Sequence, residues 1–187
     1  MINQLIIKGF KSFVDKSINF NQLNVLTGLN SSGKSTVIQA LQILNKYSRH
    51  FENPLIEGHG DYKELQNPFS SLPFSINAKY GEHGIICYSP QKENNIHTEE
   101  FPDLIIISAD RYGPLVSIPL LSDCELGSKG ENVIKCIQVH ENDILGKLIT
   151  HPNSEGDTFL YNLRAWLGTI TPGVQFNYDI IDKADTS

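Results

Sequence analysis

The sequence predicts an α/β domain on a mixed sheet whose first part is antiparallel. Three observations carry this reading. Two short apolar segments, "NQLIIKGF" and "VDKSINF", follow one another at the start. A glycine-rich loop then separates "LNVLTG" from residues at helical spacing, within "VLTGLNSSGKSTVIQALQIL", Val25 to Leu44. Further on, "FSINAKYGEHGIICYS" has the form of a hairpin.

In chain order, Leu5, Ile6 and Ile7 before the Gly9 break read as a first strand. Val14, Ile18 and Phe20 alternate with Asp15, Ser17 and Asn19, the period of a half-buried strand. "LNVLTG" is a third short strand running into the glycine loop, and Val37, Ile38, Leu41 and Leu44 then mark one face of a helix. The segment from Arg49 to Pro73 is rich in Pro, Gly and polar residues and reads as a surface loop or insertion. Phe74, Ile76, Ala78 and Tyr80 alternate before a turn bounded by Gly81 and Gly84. "DLIIISADR" reads as a buried strand, and Glu131 to Ile149 as one or two helices. Phe159, Leu160, Leu163, Trp166, Leu167 and Ile170 fall at helical spacing, which puts Trp166 on a core-facing side. "VQFNYDII" alternates as a last strand. The expected organisation is one domain over 1–187: strands, glycine loop and helix in 1–50, insertion in 51–73, hairpin and buried strand in 74–111, helices and last strand in 131–187.

Composition narrows the function classes. A chain of 187 residues with 40% hydrophobic and 19% charged residues has the make-up of one globular domain. Its net charge of −6 argues against a broad basic face for nucleic acid. Cys87, Cys124 and Cys136 are widely spaced and form neither a metal-ligand pattern nor a disulfide framework. The N-terminus lacks the build of a secretory signal. The longest aliphatic run, Leu104 to Ile107, falls far short of the roughly 20 residues of a membrane helix. No membrane association and a cytoplasmic location are expected.

Gly28, four residues, then Gly33-Lys34-Ser35-Thr36 is the spacing of a phosphate-binding loop. Successive backbone N–H groups across Asn30, Ser31 and Ser32 converge with a helix N-terminus on an anion. Gly28 and Gly33 permit backbone geometry that a Cβ obstructs. Lys34 reaches the β- and γ-phosphates of ATP, and the Ser35 hydroxyl is a ligand for Mg²⁺. Strand, loop and helix in that order make this a nucleotide-binding P-loop, of the Walker A type.

With two strands before the loop, joined by "KGFKSF", residues 5–44 resemble the head domains of SMC, RecF and OLD-type ABC ATPases. "IIISADRYGP" and "LGSKGEN" are further similar to ATPases of bacterial defence systems, including the Septu-type PtuA proteins. The resemblance implies an ABC/SMC-head P-loop NTPase fold and an ATPase acting in DNA metabolism or antiphage defence. It implies that Lys11 and Ser12 lie near the nucleotide and that Thr36 contacts the α-phosphate. As partners it implies a second head in a homodimer, with a nuclease and DNA as further candidates.

Hydrolysis in such heads requires an Asp-Glu pair at a strand end and a Ser-x-Gly-Glu signature donated across the dimer. Asp110 ends an apolar segment, but no glutamate follows, and Asp182 is a weaker candidate. Ser128 to Glu131, "SKGE", has the signature's letters at a helix start, without the strand that should follow. Gln91 reads as an exposed loop residue rather than a Mg²⁺-sensing glutamine. His50, His59, His83, His97, His140 and His151 show no paired spacing for a metal site or a Ser/His hydrolase. Catalytic residues are therefore unassigned, and the C-terminal half of a head is expected to be incomplete. The first reading is the N-terminal part of a longer ATPase. The alternatives are a truncated, non-catalytic nucleotide-binding module that acts by pairing, and a small P-loop kinase.

Overall fold

The computed structural model describes residues 1–56, 58–90, 95–110 and 126–179. They fall into two compact units, Met1–Leu104 and Ile105–Ser187.

The first unit is built on a five-stranded antiparallel sheet in the order β2-β1-β3-β4-β5. Its strands are β1 (Ile2–Phe10), β2 (Phe13–Asn19), β3 (Ser75–Tyr80), β4 (Gly84–Tyr88) and β5 (Ile96–His97). Side-chain alternation decides which face is covered. Leu5 stands opposite Ala78, and Ala78 opposite Ile86; Ile7, Ile76 and Tyr88 form a second row. All six are buried on the face that receives α1 (Lys34–Ser48), which presents Val37, Ala40, Ile43 and Leu44. Burying each large aliphatic side chain contributes about 1.5–3 kcal/mol. Phe10, Phe74 and Tyr88 continue the core, with ring centroids 5.1 Å apart for Phe10–Phe74 and 6.4 Å for Phe74–Tyr88.

α1 ends in a Schellman-type motif: the Phe51 N–H donates to the Lys46 carbonyl and the His50 N–H to the Tyr47 carbonyl. His50 takes the left-handed position at φ 60°, where glycine is usual. The described residues of the 51–73 segment form no helix or strand, except for one antiparallel bridge between Gln66 and Phe10.

The antiparallel strands and α1 follow the sequence reading, and among the described residues every strand pair is antiparallel. "LNVLTG" forms no strand; Leu23 is 82% exposed, and neighbouring Leu29 86%. The Asn24 side chain bonds both backbone groups of Asn21, accepting from its N–H and donating to its carbonyl, which closes a bend where pairing was expected to begin. Residues 103–110 form no strand either, and Ile105 is 74% exposed rather than buried. An apolar run reports a tendency to be covered, but a strand also needs a neighbour for its N–H and C=O groups. Among the described residues no strand pairs with these segments, and the bond from the Ser108 N–H to the Ser128 carbonyl is not continued into a ladder.

The second unit contains α2 (Val133–His140) and α3 (Phe159–Ile170), which pack together. One helix forms in 131–149, and among the described residues no strand pairs with 174–179 of the expected last strand. The remainder of that strand, with Asp182, lies outside the described residues, as do Gln91, Arg111 and Cys124. Trp166 is 40% exposed, not a core residue; its indole N–H donates to the Ile149 carbonyl while His151 meets its ring edge-on at 4.6 Å. The buried member of this face is Asn162, at 0% exposure. Its Oδ1 accepts from the His151 N–H at 2.7 Å, and its Nδ2 donates to the Gly156 and Thr158 carbonyls at 3.1 and 2.8 Å. Asn162→Ala strands these buried groups and is expected to lower stability by about 2 kcal/mol. Urea titration checks this; an unchanged midpoint refutes the knot's structural role.

No helix among the described residues is long and apolar enough to cross a membrane.

Candidate phosphate-binding site

The site lies wholly within the first unit, where the β1–β2 turn meets the loop before α1. Gly28, Ser31 and Gly33 all have positive φ, at 143°, 63° and 98°. These reversals wrap residues 28–33 into a tight loop, closed by the Ser32 N–H donating to the Leu29 carbonyl. At Gly33 the fit excludes any side chain: a Cβ there would lie 2.5 Å from the Phe13 ring and 2.9 Å from Ser12 Oγ. At Gly28 it would lie 2.8 Å from Ser32 Oγ. The β1–β2 turn is thus packed directly against the glycine loop.

α1 starts at Lys34 with Gly33 as N-cap, no side-chain cap and no acidic residue in its first turn. The partial positive charge of its N-terminus is therefore not offset by its own side chains. The Lys34 ammonium donates to the Gly28 carbonyl at 2.8 Å and the Leu29 carbonyl at 2.6 Å. Both partners are neutral, so its charge is solvated by dipoles rather than cancelled, and exchanging them for phosphate oxygens gains Coulomb energy. Asn30, Ser31, Ser32 and Ser35 are exposed along the same loop and first turn.

The structure brings Ser12 to this loop and the Lys11 side chain to the adjoining α1. Ser12 Oγ lies 3.4 Å from Oγ1 of the buried Thr36. Lys11 Nζ donates to Gln39 Oε1 at 2.8 Å. Desolvation by burial pushes the Lys11 ammonium below its ordinary lysine value, because removal from water disfavours the charged form. Among the described residues no carboxylate pairs with it. The segment therefore carries two cations, a helix N-terminus and several hydroxyls, an arrangement suited to an extended anion.

Sequence reasoning missed Gln39, Phe13 and Asn67. Gln39 sits at helical spacing from Ser35, a signal that existed; the reach of Asn67 across 56 residues has no local signature.

The weaker candidates are locally engaged in the second unit. Asp110 pairs with Lys129 Nζ at 2.6 Å, Glu131 Oε2 accepts from the Lys129 N–H at 2.9 Å, and the Ser108 N–H donates to the Ser128 carbonyl. The Asp110 stretch and "SKGE" thus meet each other through an ion pair and a backbone bond. An exposed pair of this kind contributes little to stability.

A comparison with curated proteins gives no match. The family model described as AAA ATPase domain matches residues 1–163, which include every element described above except the last part of α3. With most of its 187 residues inside that model and an α/β fold around a glycine loop, the chain belongs to the AAA ATPase domain family.

Proposed function

We propose that residues 28–36 are a Walker A loop that binds the triphosphate of ATP together with Mg²⁺. The observation that carries this is the Lys34 ammonium, held by two neutral carbonyls at the uncapped start of α1. Gly28, Asn30, Ser31, Ser32 and Gly33 supply backbone N–H groups, Lys34 the cation for the β- and γ-phosphates, and Thr36 an α-phosphate contact. Lys11 and Ser12 approach from the β1–β2 turn. Ser35 fits as the Mg²⁺ ligand: its exposed hydroxyl bonds no described residue. Magnesium, when bound, neutralises phosphate charge; the protein supplies orientation.

Residues 1–187 are read as one ATPase-head domain of the SMC/RecF/OLD kind, and a role in DNA metabolism or antiphage defence rests on that resemblance alone. The same holds for a homodimer of heads and for nuclease or DNA partners. Asp110 and Glu131 are not assigned catalytic roles, because both are committed to Lys129.

Titrating the whole chain with ATP, with and without Mg²⁺, tests the reading. Saturable binding strengthened by Mg²⁺ is expected, and Ser35→Ala should remove most of that strengthening while leaving metal-free binding unchanged. Absence of saturable binding refutes the proposal. A Mg²⁺ effect that survives Ser35→Ala removes Ser35 from the site.

A further inference from the structure

Resting on the ATP-binding reading above, we infer that Asn67, in the insertion after α1, is a positioning residue that holds the Lys11 ammonium at the phosphate site. Only Lys11 and Ser12 separate the closing pair Phe10 and Phe13, and Lys11 sits at φ 48°. That left-handed conformation is unfavourable for a residue with a side chain. Something must hold it.

The holder is the 65–67 segment. The Lys11 N–H donates to the Leu65 carbonyl at 2.8 Å, and the Lys11 carbonyl accepts from Asn67 Nδ2 at 2.6 Å. The Asn67 N–H donates to the Gly9 carbonyl at 2.8 Å. Both peptide groups of Lys11 are therefore bonded to an element more than 50 residues away. Asn67 is 3% exposed, and its Oδ1 accepts from the Phe69 N–H at 2.8 Å, so its amide is fixed at both ends. Gln66 secures the segment to the sheet, accepting from the Phe74 N–H at 2.8 Å and donating to the Leu72 carbonyl at 2.6 Å.

Fixing the Lys11 backbone fixes where its side chain departs. Nζ reaches Gln39 on α1, one helical turn beyond Ser35, and Ser12 is set beside Thr36. A surface loop placed only to connect α1 to β3 has no need of a buried asparagine aimed at a turn carbonyl. Release of that carbonyl lets the turn relax toward negative φ, which swings the ammonium away from the loop.

A double-mutant cycle on the full chain tests this, with Mg²⁺–ATP as probe. Asn67→Ala should weaken binding about five- to tenfold in the native background, the size of coupling expected for residues in one hydrogen-bonded network. In a Lys11→Met background it should add less than about twofold, because the ammonium it positions is gone. An equal effect in both backgrounds, or none in either, overturns the inference. Asn67→Asp, which keeps volume but loses the donor, runs the same cycle if the alanine variant does not fold. In the unaltered protein, Mg²⁺–ATP should also slow amide exchange at residues 65–69 as well as at the glycine loop. Slowing confined to the loop overturns the inference even if neither variant folds. Lys34→Ala separates the two levels: if it leaves binding intact, the ATP-site reading itself fails, whatever Asn67 does.

Discussion

Lys34→Ala weakens ATP binding by a factor of about 30 or more, with little change in stability. The expectation follows from where the ammonium sits. Its two partners are carbonyls of its own loop, in an exposed setting, so their loss costs the folded chain little. In the proposed site the same group compensates the triphosphate charge, and truncating one member of such a charge pair costs about 2–5 kcal/mol. At 1.4 kcal/mol per tenfold, the lower bound gives the quoted factor. Lys34→Arg should recover only part of the affinity, because a planar fork does not replace a compact point charge in a loop this tight. Titration calorimetry on the three proteins, alongside their denaturation midpoints, gives both quantities. Equal affinities for the native and alanine forms would sink the assignment.

Gly33→Ala produces a different pattern, losing stability and binding together. At φ 98° an alanine is strained by about 1–2 kcal/mol. Its Cβ also lies 2.5 Å from a carbon of the Phe13 ring. That ring packs on the core from β2, so displacing it adds about 1–3 kcal/mol of overpacking cost. The sum, about 2–5 kcal/mol, should appear as a lower thermal midpoint. The displaced ring also moves Ser12 off Thr36, so ATP affinity falls with it. Gly33→Ala/Phe13→Leu should recover part of the stability, while the backbone strain at 33 still impairs binding. A Gly33→Ala protein with native midpoint and native affinity contradicts the geometry.

These contrasts show which parts of the molecule were legible in residue order. The hairpin of β3 and β4 was, because Ile76, Ala78 and Tyr80 alternate and one face is covered. α1 was too, since Val37, Leu41 and Leu44 share a face and the glycine loop marks its start. The segments at 23–28 and 103–110 were misread because apolar content says nothing of which strand lies alongside. Trp166 was expected in the core, and for a related reason the buried residue on its face is Asn162. The asparagine amide satisfies three backbone groups at once, whereas the indole N–H reaches a carbonyl only from the surface. At the site, the loop itself was readable from spacing, and its supports were not. Gln39, Phe13 and Asn67 act through contacts whose partners lie 20 residues or more away in the chain, where no periodicity records them.

The pairing of β1 with β3 has a topological consequence. Joining Leu5 to Ala78 and Ile7 to Ile76 ties the intervening chain into a closed ring. The turn, the glycine loop, α1 and the insertion are all arcs of it. The entropy of closing such a ring grows only logarithmically, by about 0.6 kcal/mol for each doubling of its length. Arcs whose contacts are local, such as the exposed Gly58–Gly60 stretch with its His59 N–H on the Ile56 carbonyl, are therefore nearly neutral in length. Arcs held in register, such as 65–67 against 9–11, are not, since one added residue shifts every bond they make.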